Sequence, residues 1–205
     1  MLGRAYPMSL AVRAAGDRHQ LELRSRLAVT RAAASPAEVD DRARRRLDVG
    51  ELAGRTLDVD AFNVLITLEL ALGGGPLFVC ADGPLRDLAG MRGSYRLAAE
   101  TDGAIELLGA ALTRWSLGRC VLWIDAPVSN SGRLRELIEA RSASWGVETR
   151  VEMVPDADRA LKGRELVASA DAVVIDGSPR WCNLARAIVE QDVPGAWIVR
   201  LAGET

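Results

Sequence analysis

Apolar residues fall in two different rhythms along this chain, and the change comes near residue 55. Over residues 8–33, Leu10, Val12, Leu21, Leu23, Leu27 and Val29 stand among charged positions, which predicts one or two helices. Ser35-Pro36-Ala37-Glu38 then has the form of a helix start. Ser caps, Pro fits the first turn and Glu38 is placed for a capping box, so a helix is expected to run to about Leu47. Beyond Arg55, short apolar strands alternate with helices. Strands are expected over 56–60, 77–81 (LFVCA), 120–125 (CVLWID), 147–154, 172–176 (AVVID) and 196–201 (AWIVRL). Helices are expected from 63 to 72, where Gly73-Gly74-Gly75-Pro76 stops the first, and over 98–116, 130–145, 155–169 and 179–190. Residues 82–97 read as a polar loop.

Such alternation predicts an α/β fold, a three-layer sandwich whose mainly parallel sheet is covered on both faces. Its body spans 51–205, and a helical arm, 1–50, packs on it. The 205 residues, 49% hydrophobic, suffice for a sizeable core. No apolar run reaches the ~18 residues of a membrane span. Arg13, Asp17 and Arg18 interrupt any signal-peptide layout, so a cytoplasmic location with no membrane partner is expected.

Charge and cysteine usage narrow the chemistry. Cys80, Cys120 and Cys182 lie far apart without CxxC spacing, and Cys80 and Cys120 sit in apolar runs as buried structural thiols do. With His19 as the one histidine, a zinc site or a His-based triad has poor material. Net charge is −2, but residues 1–55 carry eleven Arg against seven acids. This basic arm is either a phosphate-contacting surface or a solvated helix face.

Three strands end in aspartate followed by a turn, at Asp60, Asp125 and Asp176. Parallel strands gather their carboxyl ends along one edge, where open α/β sheets place ligands. Carboxylates packed together repel, and a hard divalent cation such as Mg²⁺ or Mn²⁺ resolves the conflict with oxygen ligands alone. Such a site can activate water against a phosphodiester. A strand-end Asp can equally cap the next helix. Asp156 and Asp158 add acids at a helix start, where the macrodipole also favours them.

On these residues the chain resembles the PIN-like nuclease superfamily, including its NYN branch. The resemblance rests on Asp60-Ala61-Phe62-Asn63 after the first strand, Asp158-Arg159-Ala160-Leu161 at a later helix start, Asp176-Gly177-Ser178 and the middle-strand Asp125. The chain also looks like a prokaryotic family of unknown function assigned to that superfamily, through VDAFNVLITLE, the loop 90–96, DAPVSNSG and Gly16-Asp17-Arg18-His19-Gln20-Leu21. The resemblance implies a metal-dependent nuclease, RNA preferred over DNA, with Asp60, Asp125, Asp158 and Asp176 holding Mg²⁺ or Mn²⁺. Asn63 would position Asp60 or a water, with Ser178 close by.

Arg92, Ser94, Tyr95 and Arg96 have the composition of a phosphate or base contact, and Tyr95 as a structural tie is the other reading. Glu69 faces either the site or solvent, and Asp82 is a reserve acid. Ser129-Asn130-Ser131-Gly132 reads as a helix cap, with a phosphate cradle as the other reading. Two other functions fit less of the sequence. A non-catalytic RNA-binding or complex-assembly protein on the same fold has only nine aromatic residues for base stacking, and a homodimer is open to the chain under any of these readings. A haloacid-dehalogenase-type phosphatase would use Asp58 as nucleophile and Asp60 as acid, but Phe62 and the single Lys162 depart from its pattern.

Overall fold

The computed structural model describes residues 1–88 and 95–200. The arm comprises α1 (Met8–Arg18), α2 (Leu23–Ala32) and α3 (Pro36–Arg45). The start of α3 is the expected capping box: Glu38 N donates to Ser35 Oγ, and Ser35 N donates to Glu38 Oε2. The arm continues as β1 (Arg46–Leu47), then β2 (Thr56–Asp60), α4 (Ala61–Leu72), β3 (Leu77–Val79) and β4 (Leu85–Arg86). Next come α5 (Thr101–Arg114), β5 (Arg119–Asp125), α6 (Ser131–Ser142), β6 (Glu148–Val154), α7 (Ala157–Leu161) and β7 (Leu166–Ala168). The chain closes with α8 (Ala172–Asp176), β8 (Arg180–Cys182), α9 (Leu184–Asp192) and β9 (Ile198–Arg200).

Six strands make one sheet in the order β1-β8-β7-β2-β5-β6, and every pair is parallel. Alternate residues feed opposite faces. Leu57 and Val59, Cys120, Leu122 and Ile124, and Cys182 join the larger core, together with α4, α5 and α9. Val121, Trp123, Val167 and Trp181 join a smaller core with α7 and α8. Both faces are therefore covered, as the continuous apolar strands required. All three cysteines are free and buried. Among the described residues no helix is long and apolar enough to cross a membrane.

Several elements differ from the sequence pattern. The run expected as one helix over 155–169 is α7, a turn, and β7; Gly163, at φ +80°, ends the helical path. AVVID is not a strand. Asp171 caps it by accepting from Val173 N at 2.7 Å, and the adjacent Val174 and Ile175 are both buried while Val173 is exposed, which fits helical packing and not alternation. The segment 179–190 begins as β8 before becoming α9. Strands do form within the 77–81 and 196–200 segments, but these, β3 and β9, pair in a second, three-stranded sheet, β4-β3-β9.

Candidate functional site

The parallel sheet changes direction between β2 and β7: β2 leads outward to β5, whereas β7 leads the other way to β8. A crevice opens at the carboxyl ends of two such strands because their connections diverge. Here it is a pocket of about 440 Å³, lined by Asp60, Asn63, Asp125, Asp158, Asp171 and Phe62 on the sheet side. The arm contributes Arg31, Glu38 and Arg42, and β4 with the residue after it contributes Arg86 and Asp87.

Asp60 is the last residue of β2 and the N-cap of α4. It is buried; Oδ1 accepts from Asn63 N at 3.2 Å and Oδ2 accepts from Ser169 Oγ at 2.9 Å. Burial pushes its carboxyl up to about 7 against the relief of those two donors, and Asp158 and Asp171 push it further. Asp158, in the first turn of α7, is exposed as a residue, yet its carboxyl rises to about 6. Partial desolvation in the pocket contributes most, followed by Asp171, Asp125 and Asp156. Asp125 accepts from Ala157 N at 2.7 Å through Oδ1, so it both lines the pocket and fixes the start of α7. Asp60 and Asp125 thus each bond a helix start and line the same pocket.

Asp171 is the member that the sequence pattern missed. It follows β7, a three-residue strand easily taken for the end of a helix, and the useful signal was Lys162-Gly163 as a helix stop followed by LVASAD. Its loop is held tightly. Asn63 Oδ1 accepts from Ala170 N at 2.7 Å, and Arg86 Nε donates to Ala170 O at 2.7 Å. Asn63 therefore positions this loop through its side chain, and Asp60 receives its backbone N–H.

The structure does not bring Asp176 into the group. As the last residue of α8, not the end of a strand, its carboxylate takes a bidentate contact from Arg42 at 2.7 and 2.6 Å. Ser178 likewise lies outside the pocket lining: it is buried, with Oγ donating to Leu161 O at 3.3 Å and its carbonyl accepting from Arg45. Tyr95 is the structural tie. Its ring is 3% exposed and packs on Phe62, and its hydroxyl bonds Glu69, which Thr101 Oγ1 also donates to at 2.6 Å. Glu69 is thereby buried, not solvated, and is absent from the pocket lining. Arg96 is exposed and absent from the pocket lining; Arg92 and Ser94 lie outside the described residues. Asn130 and Ser129 do not cap α6 with their side chains but bond the Tyr95 backbone.

Arginines of the arm are less free than a solvated surface would make them. Arg42 is 3% exposed and joins Asp176 to Asp82, whose Oδ2 lies 2.5 Å from Nη1. Asp82, the reserve acid, is spent there and on Arg86 at 2.6 Å. Arg45 bonds the Ile175 and Ser178 carbonyls. Asp58 points into the smaller core, where Trp123 Nε1 donates to it at 2.8 Å, and it is absent from the pocket lining. Asp156 caps α7.

The donor set of Asp60, Asp125, Asp158 and Asp171 is all carboxylate oxygen, and burial first, then the neighbouring acids, raises the carboxyls of Asp60 and Asp158. That chemistry fits a hard divalent cation. Among the described residues no three ligating groups stand close enough to form a finished ion site.

Comparison with known proteins gives two family matches: a domain of unknown function (DUF5616) over residues 49–187 and a protein of unknown function (DUF434) over residues 1–45. An uncharacterised protein of Methanocaldococcus jannaschii, MJ0935, is 31% identical over 175 residues, 85% of this chain and 84% of that protein. No solved structure matches.

Proposed function

The chain belongs to the DUF5616 family, and we propose that it is a divalent-metal-dependent nuclease whose centre is Asp60, Asp125, Asp158 and Asp171. One observation carries this reading: four aspartates line one pocket at the switch point of a parallel sheet, two with carboxyls raised to about 7 and 6. A bound Mg²⁺ or Mn²⁺ would supply the charge that lets Asp60 and Asp158 ionise and would activate water for phosphodiester hydrolysis. The chain's own residues then have distinct tasks. Asp60 anchors the centre from beneath, oriented by Ser169 and the Asn63 amide. Asn63 and Arg86 hold the Ala170 peptide from its two sides and so set Asp171. Arg31 on the pocket wall, its side chain 34% exposed, would offset the charge of an incoming phosphate group, whereas Arg42 is committed to Asp82 and Asp176. RNA is proposed above DNA on the resemblance to PIN-like nucleases alone. A phosphatase of the dehalogenase type is disfavoured, because its nucleophile would be the core-facing Asp58.

The test is cleavage of end-labelled single-stranded RNA and DNA with Mn²⁺, Mg²⁺ or EDTA. Metal-dependent cleavage is expected, reduced about 100-fold or more in Asp60→Asn and Asp171→Asn, while Asp176→Asn keeps cleavage within about tenfold of wild type. No cleavage by a folded wild type that also fails to bind Mn²⁺ overturns the proposal in favour of a non-catalytic binding protein.

A further inference from the structure

We propose that β6 is a self-pairing edge, through which two copies of this chain join antiparallel about a twofold axis at Val151. The inference is independent of the nuclease reading.

β6 ends the six-stranded order, and among the described residues no strand pairs with its outer side. Unlike β1 at the other edge, which has two residues, it is seven residues long. A long unpaired edge is a template for another strand. Its backbone directions are fixed by one bond: Ala126 N donates to Val154 O at 2.7 Å, so Val154 faces β5. By the period of two, Glu152, Arg150 and Glu148 face β5 as well, while Met153, Val151 and Thr149 turn their N–H and C=O groups outward. Pairing centred on Val151 sets Val151 against Val151 and Thr149 against Met153 of the second copy. All outward-facing groups then meet in hydrogen-bonded register, about six bonds in total.

The side chains select the same centre. Glu148, Arg150 and Glu152 are exposed on one face, whereas Thr149, Val151 and Met153 are half-buried on the other. Across the axis Arg150 stands opposite Glu152 of the second copy, twice by symmetry. Arg150 already leans on its own Glu148 at 3.2 Å, so it would lie between two acids. Moving the axis to residue 150 or 152 sets Arg150 against Arg150 or Glu152 against Glu152, which is destabilising. Moving it to 149 shortens the overlap, because Gly146 turns the chain away at φ +69°. On the opposite face Val151 meets its own copy, adding apolar burial at the axis. Charged residues can also guard an edge against pairing; the alternating signs here complement themselves in the register the backbone requires.

Sedimentation equilibrium of the full chain provides the test. Wild type is expected to be a dimer at about 100 µM. Glu152→Arg, which opposes Arg150 to an arginine, is expected to weaken association about 100-fold. The swap Arg150→Glu with Glu152→Arg restores the dimer, and Val151→Pro, which removes an outward N–H, gives a folded monomer by circular dichroism. A monomeric wild type, a dimer indifferent to Glu152→Arg, or a folded swap variant that stays monomeric overturns the proposal.

Discussion

Among single side chains, Asp60 experiences the sharpest conflict between folding and chemistry. Burial favours its protonated form, while Ser169 and the Asn63 amide favour the carboxylate, and burial prevails. A group whose folded pKa lies near 7 and whose unfolded value lies near 3.8 supports folding below about pH 4 and loses that contribution as pH rises toward 7. In metal-free protein, therefore, Asp60→Asn should gain on wild type by several °C of Tm between pH 5 and 8, measured as the difference between the two melting curves. Mn²⁺ should raise the wild-type Tm more at pH 8 than at pH 5.5, since the ion competes with the proton. Asp60, Asn63, Asp125 and Asp158 were legible because each sits at a turn after a clear apolar run or at a helix start. Asp176 misled for the same reason: AVVID has strand composition, and only the Asp171 cap and its neighbours' packing make it a helical turn.

At the level of elements, short segments are where pattern reading failed and close packing decided. β7 has three residues, too few to show alternation, and all three are buried. Its following loop is fixed by tertiary bonds to Ala170 that no local pattern reports. Asn63→Ala or Arg86→Ala should weaken Mn²⁺ affinity roughly 10–100-fold by isothermal titration, with the helix content unchanged. The longer elements were legible throughout, α4, α5, α6, β5 and β6 among them, because their periodicity extends over several turns or pleats. One packing detail was not. A Cβ on Gly109 of α5 would come within 2.1 Å of the Trp145 indole. Gly109→Ala should cost about 1–3 kcal/mol in urea unfolding, despite the better helix propensity of alanine.

Across the whole molecule, the parallel body and helical arm were readable from the change of rhythm near residue 55. How the two join was not, because the joint is made of charge and strand pairing. Arg42 crosses from α3 to Asp82 and Asp176, the indole N–H of Trp181 donates to Arg42 O at 2.8 Å, and β1 lies parallel beside β8. A polypeptide of 49–205 alone would leave the fully buried Asp82 carboxylate without its Arg42 partner and β8 with an open edge. It should aggregate when expressed alone and become soluble when residues 1–48 are co-expressed, the two copurifying through a tag on either piece. The chain could thus be divided into two genes at that seam and still rebuild one molecule, each product being an obligate complement of the other: one lends a strand and a cation, the other supplies the groove that receives them.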